Sequence, residues 1–374
     1  MNTPVEDIRK ESLISKRWNW SGHGQKALAD GILVTGANSF IGCHVVRQLA
    51  EVFPGRVHLL LRAPNLPGAV LKMQHAFEQW GLGFFNPNGF FIHTGDVCAV
   101  NLGLTIREYA EIDREVGQVI HLAMTPMYHL PYHHFKRIWI PELERMIRFC
   151  GDPDHPKFLH YASSFNANFF QEEEDFMALN TNAWQSGYAG FKWVTNRAIA
   201  NAMRQNLIAC IYDIPLVLGS ESNGLCPGHY SIWMILDIFL KTGLYFPFRF
   251  NIIPVDKLAD VIVFNALKVK EGCPSQFSRP FMADPVDDEL FARTAANLLG
   301  LQKAGLEEVR KTCHNKLRFD FMMPGNFYDL MKKVNSLPAV FPDGFERGYL
   351  PQTPMVFMSN LNRIMSVRNE MIKV

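Results

Sequence analysis

A tyrosine and a lysine four positions apart stand near the middle of the chain. They are Tyr188 and Lys192, in the sequence Tyr-Ala-Gly-Phe-Lys. On a helix, side chains with this spacing lie on the same face, so the lysine ammonium would stand beside the tyrosine hydroxyl. A nearby positive charge stabilises the phenolate and lowers the pKa of a tyrosine toward working pH. The pair therefore predicts proton transfer to a reacting oxygen atom.

Two serines follow a short apolar run at 157–162, which we interpret as a strand. Ligands of open parallel sheets bind at the carboxyl ends of the strands, and both serines would lie there. We expect the hydroxyl of Ser164 to hydrogen-bond a substrate carbonyl oxygen together with Tyr188. We expect Ser163 to be structural. The predicted catalytic residues are thus Ser164, Tyr188 and Lys192.

A glycine-containing turn, Thr-Gly-Ala-Asn-Ser-Phe-Ile-Gly at 35–42, joins an apolar strand-like run to a segment with helical spacing. Gly36 would permit the tight turn and Gly42 close packing of the helix on the sheet, while Ser39 replaces the usual middle glycine. The N–H groups at the start of the helix would face a cofactor pyrophosphate. The predicted cofactor contacts in this turn are Gly36, Asn38, Ser39, Phe40, Ile41 and Gly42.

An arginine at the end of the second predicted strand indicates which dinucleotide binds. NAD-preferring sites carry an acidic residue near this position to bind the ribose hydroxyls. Arg62 stands there instead, and a guanidinium suits a 2′-phosphate, with Lys72 as a helper. The predicted cofactor is therefore NADPH. Further contacts are predicted at the ends of the third and fourth strands and in the catalytic pair: Asp96, Val97, Leu122, Ala123, Tyr188 and Lys192.

Alternating strand and helix patterns must position these residues. The predicted strands are 31–35, 56–61, 89–93, 119–123, 157–162 and 207–212. The predicted helices are 41–52, 69–80, 139–150 and 187–203. Such alternation predicts an α/β fold with a Rossmann-type doubly wound parallel sheet.

The alternation weakens after Gly219, which suggests a second domain. We predict an N-terminal leader at 1–28 and an NADP-binding domain at 29–219, to which 251–275 return. A smaller C-terminal substrate-binding domain would comprise 220–250 and 276–374. A chain of 374 residues is long enough for two cores.

Composition narrows the classes of partner. The formal net charge of +1, without basic blocks, argues against nucleic-acid binding and electrostatic attachment to membranes. The first sixteen residues lack the apolar core of a signal peptide, and no apolar run is long enough to span a bilayer. The seven cysteines form no CxxC pair and predict a reduced, cytoplasmic protein. His129 and His133 are spaced like metal ligands but have no third partner, so we predict no metal.

Several motifs in a fixed order resemble the extended short-chain dehydrogenase/reductase superfamily. Within it they look most like thioester reductase domains, with fatty acyl-CoA reductases as near relatives. After the glycine turn, the matching segments are LLLRA at 59–63, GDV at 95–97, NLGL at 101–104, VIHLA at 119–123, LPY at 130–132, GYAGFKW at 187–193 and IPVD at 253–256.

The resemblance implies a substrate and a reaction. The substrate would be an acyl thioester on the phosphopantetheine of an acyl or peptidyl carrier protein, or on CoA. NADPH would deliver a hydride to the thioester carbonyl and Tyr188 would protonate the oxyanion. The hemithioacetal would then collapse to an aldehyde and a thiol, and some relatives continue to the alcohol. The protein would be a monomer or a dimer.

The chain departs from the family pattern at a few positions. Phe191 and Asn196 stand where the family usually has serine and glutamate. The segment Tyr-Asp-Ile-Pro at 212–215 replaces a YRPG-like segment beside the nicotinamide. By this correspondence Pro215 is a predicted cofactor contact.

Two other functions stay open from the sequence. One is another extended-family enzyme, a carbonyl reductase or a sugar-nucleotide epimerase or dehydratase, although the aromatic segment 220–250 favours an acyl chain. The other is a non-redox acyl cyclase or a binding module on the same fold. Such a protein would not need Tyr188 and Lys192.

Overall fold

The computed structural model describes residues 27–124, 130–169, 185–228, 230–246, 250–272, 285–286 and 300–313. Contacts divide the chain into two compact units. The described parts of the first unit lie within 27–214 and 259–272. Those of the second lie within 215–258, 285–286 and 300–313. The predicted leader lies almost entirely outside the described residues.

The first unit contains a six-stranded parallel sheet in the order β3-β2-β1-β4-β5-β6. Its strands are β1 (Gly31–Thr35), β2 (Val57–Leu61), β3 (Phe91–Thr94), β4 (Val116–His121), β5 (Phe158–Ala162) and β6 (Ala209–Tyr212). Its helices are α1 (Phe40–Val52), α2 (Leu66–Gln79), α3 (Ile106–Glu115), α4 (Tyr132–Cys150) and α5 (Gln185–Met203). The predicted α/β fold with a Rossmann-type sheet is confirmed.

Both faces of the sheet are buried, which explains the continuous apolar runs of its strands. Every residue of β1, β2 and β4 is buried. On one face, Leu33, Val119 and Leu159 pack in a single cluster with Met146 of α4 and Ile199 of α5. This cluster holds α4 and α5 beside β4 and β5, and so fixes the helix that carries the predicted catalytic pair.

The opposite face carries a buried polar network. The ring nitrogens of His160 hydrogen-bond Gln118 Oε1 at 3.0 Å and Tyr212 Oη at 2.8 Å. Asn265 Nδ2 donates to the same tyrosine hydroxyl at 3.1 Å, and Gln118 Nε2 donates to the carbonyl of Ala266 at 3.2 Å. Burial lowers the pKa of His160 to about 3, so the network joins neutral groups. It ties 265–266 to three adjacent strands.

The strand order reverses between β1 and β4, and parallel α/β proteins bind ligands at the carboxyl end of this crevice. The turn after β1 and the segment after β4 meet there. Gly36 has φ +69°, and a Cβ at this position would lie 2.7 Å from the backbone nitrogen of Ala123. Only glycine fits this approach without strain.

The second unit has two small sheets. In one, β7 (Leu216–Leu218) pairs in parallel with β9 (Phe250–Pro254), which pairs antiparallel with β10 (Pro285–Val286). In the other, β8 (Leu244–Tyr245) pairs with β11 (Gln302–Lys303). The remaining helices are α6 (Ser231–Thr242), α7 (Val255–Lys270) and α8 (Leu306–Thr312).

The segment predicted to return to the first domain, 251–275, is divided between the units. Residues up to Leu258 group with the second unit, and residues from Ala259 group with the first. The assignment of one domain to the cofactor and the other to the substrate stays a prediction. Among the described residues, no helix is both long and apolar enough to cross a bilayer.

Candidate active site

Lys192 is buried beside the carboxyl end of β5, with only 3% of the residue exposed. Its Nζ donates a hydrogen bond to the carbonyl oxygen of Ala162 at 2.9 Å and a longer one to Tyr161 Oη at 3.5 Å. Burial lowers the pKa of Lys192 to about 7, and the carboxylates of Glu142 and Asp213 oppose that fall. The lysine is therefore close to the midpoint between its charged and neutral forms at neutral pH.

Tyr188 lies one helical turn before Lys192 in α5 and is 6% exposed. Its ring meets Phe135 of α4 edge to face, with 6.0 Å between the ring centroids. The preceding residue, Gly187, lies so close to the backbone that starts α4 that a Cβ there would overlap the carbonyl oxygen of Leu130. The close packing of α5 on α4 thus places both members of the predicted pair inside the unit.

The two serines lie at the carboxyl edge of the sheet, directly after β5, and both are buried. The N–H of Ser163 donates to the carbonyl of Tyr212 at 2.7 Å, which ties this segment to β6. Its hydroxyl has no hydrogen-bond partner among the described residues. The hydroxyl oxygen of Ser164 accepts from the N–H of Asn166 at 3.3 Å, which leaves its proton available to another acceptor. The catalytic role of Ser164 stays a prediction.

A small cavity of about 10 Å³ lies beside Lys192, roughly the space that one water molecule needs. Its lining includes Leu122, Ala123 and Lys192, which the sequence singled out. It also includes three residues to which the sequence gave no role: His121, Trp139 and Glu142. The end of β4 therefore lies beside Lys192, the predicted catalytic lysine. The second group of three adds a buried histidine and a buried carboxylate to the site.

His121 connects β1 to α4 under this cavity. Its Nδ1 lies 2.9 Å from Thr35 Oγ1, and its Nε2 lies 3.3 Å from Glu142 Oε1. Thr35 Oγ1 also accepts a hydrogen bond from the N–H of Ala123 at 3.3 Å, so the threonine joins the end of β4 to the His121 ring. The ring also stacks on Tyr161, with centroids 5.7 Å apart.

Glu142 was missed because only packing shows that it is buried. It is 3% exposed, and within the described part of the chain Oε1 has no hydrogen-bond partner, since His121 approaches it in a poor direction. One signal in the sequence could have found it. Glu142 lies three or four residues from Trp139 and Met146, on the same side of α4. A carboxylate on such an apolar stripe is unusual.

The glycine turn after β1 leads directly into the N-terminus of α1. Ser39 caps α1, since its Oγ accepts from the N–H of Gly42 at 3.0 Å. A Cβ at Gly42 would overlap the carbonyl oxygen of Gly36, so the helix start lies directly on the turn. The first turn of α1 holds no acidic side chain, which leaves the positive end of its dipole suited to an anion.

The other turn residues differ in exposure. Asn38 and Ser39 are exposed, and Ile41 is half-buried. The ring of Phe40 is buried against Trp80, with centroids 4.7 Å apart. Only the backbone of Phe40 is therefore suited to the predicted cofactor contact.

Arg62, Lys72 and Asp96 form a charged group after β2 and β3. The Arg62 side chain is 82% exposed and its Nη1 lies 3.8 Å from Asp96 Oδ2. Lys72 Nζ donates to the backbone carbonyl of Arg62 at 2.5 Å. Such an exposed ion pair is weak, so the guanidinium can turn toward a phosphate. The side chain of Val97, by contrast, packs in the core cluster.

The segment after β6 carries a buried acidic residue. Asp213 is 1% exposed, and its Oδ1 accepts a hydrogen bond from Asn196 Nδ2 of α5 at 2.8 Å. The two departures from the family pattern thus contact one another. Pro215 is buried and belongs to the second unit, and its cofactor contact stays a prediction.

A metal centre does not arise from the described residues, where no three His, Cys, Asp or Glu side chains group closely enough to hold an ion. Of the histidine pair considered in the sequence, His129 lies outside the described residues.

Comparison with known proteins identifies relatives of this chain. Residues 34–262, more than half of the sequence, match the model of an NAD-binding family described as male sterility protein. A linear gramicidin synthase of Brevibacillus parabrevis is 22% identical over 59% of this chain. Isonitrile lipopeptide synthase of Streptomyces coeruleorubidus is 23% identical over 66% of it. The chain spans only 4% and 17% of the lengths of these two proteins.

Solved structures share the fold over nearly the whole chain. The terminal R domain from the myxalamid PKS-NRPS biosynthetic pathway superposes with a TM-score of 0.74 at 16% identity, covering 97% of this chain and 98% of that domain. A thiolation-reductase di-domain from an archaeal non-ribosomal peptide synthetase gives 0.69 at 11% identity, covering 98% and 84%.

Proposed function

Because the chain belongs to the male sterility protein family of NAD-binding domains, we propose that it is an NADPH-dependent reductase that releases an acyl group from a thioester as an aldehyde. The thioester would be carried by the phosphopantetheine of an acyl or peptidyl carrier protein, or by CoA. Two observations support the carrier protein as donor. The chain is similar to parts of peptide and polyketide synthases, and it shares its fold with a thiolation-reductase di-domain.

One observation carries this proposal: Tyr188 and Lys192 are both buried on one turn of α5, at the carboxyl edge of a sheet that belongs to an NAD-binding family. Burying an amine is costly unless it is used or paired. A lysine held near its midpoint at neutral pH beside a buried tyrosine is the arrangement expected of acid–base catalysis.

The residues present fit a dinucleotide. The α1 N-terminus and the turn at Gly36 and Gly42 would hold the pyrophosphate. Arg62 and Lys72 would bind the 2′-phosphate that distinguishes NADPH from NADH. Further contacts would come from the end of β3, the end of β4 and the catalytic pair, and Pro215 is a separate predicted contact. When bound, NADPH supplies the hydride that reduces the thioester carbonyl.

The side chains of this site would handle the oxygen and its proton. Ser164 would donate a hydrogen bond to the thioester carbonyl oxygen, and Tyr188 would donate the proton that this oxygen takes up as its negative charge develops. Lys192 would stabilise the phenolate that remains until it is reprotonated. The C–S bond of the resulting hemithioacetal then breaks, and the carrier thiol leaves with one proton, so that thioester, hydride and proton become aldehyde and thiol.

The direct test follows loss of the NADPH absorbance band with an acyl-CoA and with an acyl-loaded carrier protein. Oxidation of NADPH with release of aldehyde and free thiol is the expected result. Tyr188→Phe should lower kcat by at least about 100-fold, since it removes the proton donor and little else. Tyr109→Phe is the matched control, because Tyr109 packs on Phe149 in the core, remote in the sequence from the pair.

The outcomes separate this function from its rivals. Binding of an acyl thioester without NADPH oxidation would overturn the reductase proposal and favour the acyl cyclase or binding module. Conversion of a sugar nucleotide with no net change in the cofactor would favour an epimerase. Turnover of Tyr188→Phe at the wild-type rate would remove this tyrosine from the mechanism.

A further inference from the structure

The buried carboxylate of Glu142 is not used by the proposed chemistry. Transfer of a charged group into a protein interior is costly unless another charge or hydrogen bonds compensate it. Of the two carboxylate oxygens, Oε1 has no hydrogen-bond partner among the described residues and lies 3.3 Å from His121 Nε2. Glu142 also lines the small cavity beside Lys192, so the other groups of that wall are the next candidates to compensate its charge.

The cation on that wall is Lys192. Glu142 and Lys192 are each 3% exposed, and the cavity that both residues line holds about one water molecule. Bulk solvent therefore does not screen the attraction between their charges. The hydrogen-bond acceptors of the lysine are the Ala162 carbonyl and the Tyr161 hydroxyl. Burial raises the pKa of Tyr161, so that acceptor is neutral. Among the described residues, the hydrogen bonds of Lys192 thus include no charged acceptor.

Several charged or titratable groups face Lys192, one from each surrounding element. They are His121 at the end of β4, Glu142 of α4, Tyr161 of β5, Tyr188 on the same turn of α5, and Asp213 after β6. Of these, Glu142 and Asp213 are the carboxylates whose fields oppose the effect of burial on the lysine. Asp213 already accepts a hydrogen bond from Asn196, whereas Glu142 lines the cavity and its Oε1 has no hydrogen-bond partner among the described residues.

We propose that Glu142 is a positioning residue for Lys192: its carboxylate, on the wall of the same cavity, favours the ammonium form of the buried lysine at the end of β5. His121 supports this role from the other side, since Thr35 orients its ring and its Nε2 faces the carboxylate. The importance of the lysine charge for turnover rests on the proposed function. The electrostatic coupling between the two residues does not.

The coupling can be measured without substrate or cofactor. The protein is labelled with [ε-¹³C]lysine, and the resonance of Lys192 is identified by its absence in Lys192→Met. Its chemical shift is then followed against pH in wild type and in Glu142→Gln, which keeps the shape and removes the charge. The midpoint should fall by about one pH unit or more in Glu142→Gln, because an opposite charge has been lost.

A matched control uses the same helix. Glu144→Gln removes a half-buried carboxylate two residues further along α4, and it should leave the Lys192 midpoint unchanged. An unchanged midpoint in folded Glu142→Gln, or an equal fall in both variants, would overturn the proposal. If the amide prevents folding, Glu142→Met, of similar volume and without charge, is measured in its place and must show the same fall.

Turnover measured against pH then links the coupling to catalysis. The limb of the kcat/KM profile that reports Lys192 in the free enzyme should move in Glu142→Gln by the amount seen in the resonance. A role in folding alone would lower the amount of active protein and leave this limb in place. If the protein proves not to be a reductase, the resonance measurement still decides whether Glu142 sets the charge of Lys192.

Discussion

Replacing Lys192 with methionine should change how the free energy of unfolding depends on pH. In the folded protein, burial lowers the pKa of Lys192 to about 7, whereas in the unfolded chain it returns to the ordinary value of 10.5. Between these two values the unfolded state binds a proton that the folded state does not. The free energy of unfolding therefore rises with pH across this window, and the contribution of Lys192 to it is constant below and above the window.

The magnitude follows from the shift. Each unit of pKa difference corresponds to about 1.4 kcal/mol, so the whole window is worth on the order of 4–5 kcal/mol. Over the accessible part, from roughly pH 7 to 9, the free energy of unfolding of the wild type should gain about 2 kcal/mol relative to Lys192→Met.

Urea unfolding of both proteins at several pH values provides the measurement. Only the difference between the two proteins is compared, because other groups titrate equally in both. Lys72 is exposed and serves as the control. Lys72→Met also replaces a lysine with methionine, but that lysine is not buried, so its removal should not change the pH dependence in this range. If the difference between wild type and Lys192→Met stays flat over this range, the lysine carries no burial penalty and the reasoning fails.

Three other changes test the site and its support. Gly36→Ala should destabilise the protein by about 2 kcal/mol or more in thermal unfolding and should weaken NADPH binding, because the residue has φ +69° and its Cβ would press on the backbone at Ala123. Gly55 is the control, since it has φ +66° and open space around it. Gly55→Ala should therefore show only the smaller cost of the backbone conformation. Arg62→Gln should reduce the preference for NADPH, measured as kcat/KM with NADPH divided by kcat/KM with NADH, by about tenfold or more, because a charge-assisted hydrogen bond is lost. An unchanged preference would exclude Arg62 from the 2′-phosphate site. Asp113→Asn should lower the free energy of unfolding in urea by about 3–5 kcal/mol, since it leaves the fully buried Lys157 ammonium without the carboxylate 2.7 Å away. Glu111→Gln, on the more exposed side of the same helix, should lower it by less than about 1 kcal/mol.

Some local boundaries moved when tertiary contacts formed. The apolar pattern predicts a helix from residue 139, but α4 begins at Tyr132 and continues through Pro141. Proline disfavours a helix interior, yet the packing of α4 on the sheet and on α5 outweighs that cost here. The fourth strand is predicted at 119–123 and runs instead from Val116 to His121, because its register with β1 starts at Gly31.

The sequence alone determined the order of most local elements and the spacing of the predicted catalytic pair. Strand and helix patterns depend on neighbours within a few positions, and a spacing of four residues places Tyr188 and Lys192 on one face wherever the helix lies. The strand predicted at 31–35 is β1, and the helix predicted at 187–203 is α5 to within two residues.

Only the tertiary structure decided the electrostatic surroundings of that pair. His121, Glu142, Lys192 and Asp213 belong to different elements, and the sheet brings them together across separations of about 20 to 90 residues. A carboxylate in the sequence is ordinarily solvated, and only its place on the apolar stripe of α4 distinguishes Glu142 from Glu144 before the chain folds. The proposed action of the Glu142 charge on Lys192 depends on the exclusion of bulk water from the small cavity that both residues line, and that exclusion is a property of the folded chain.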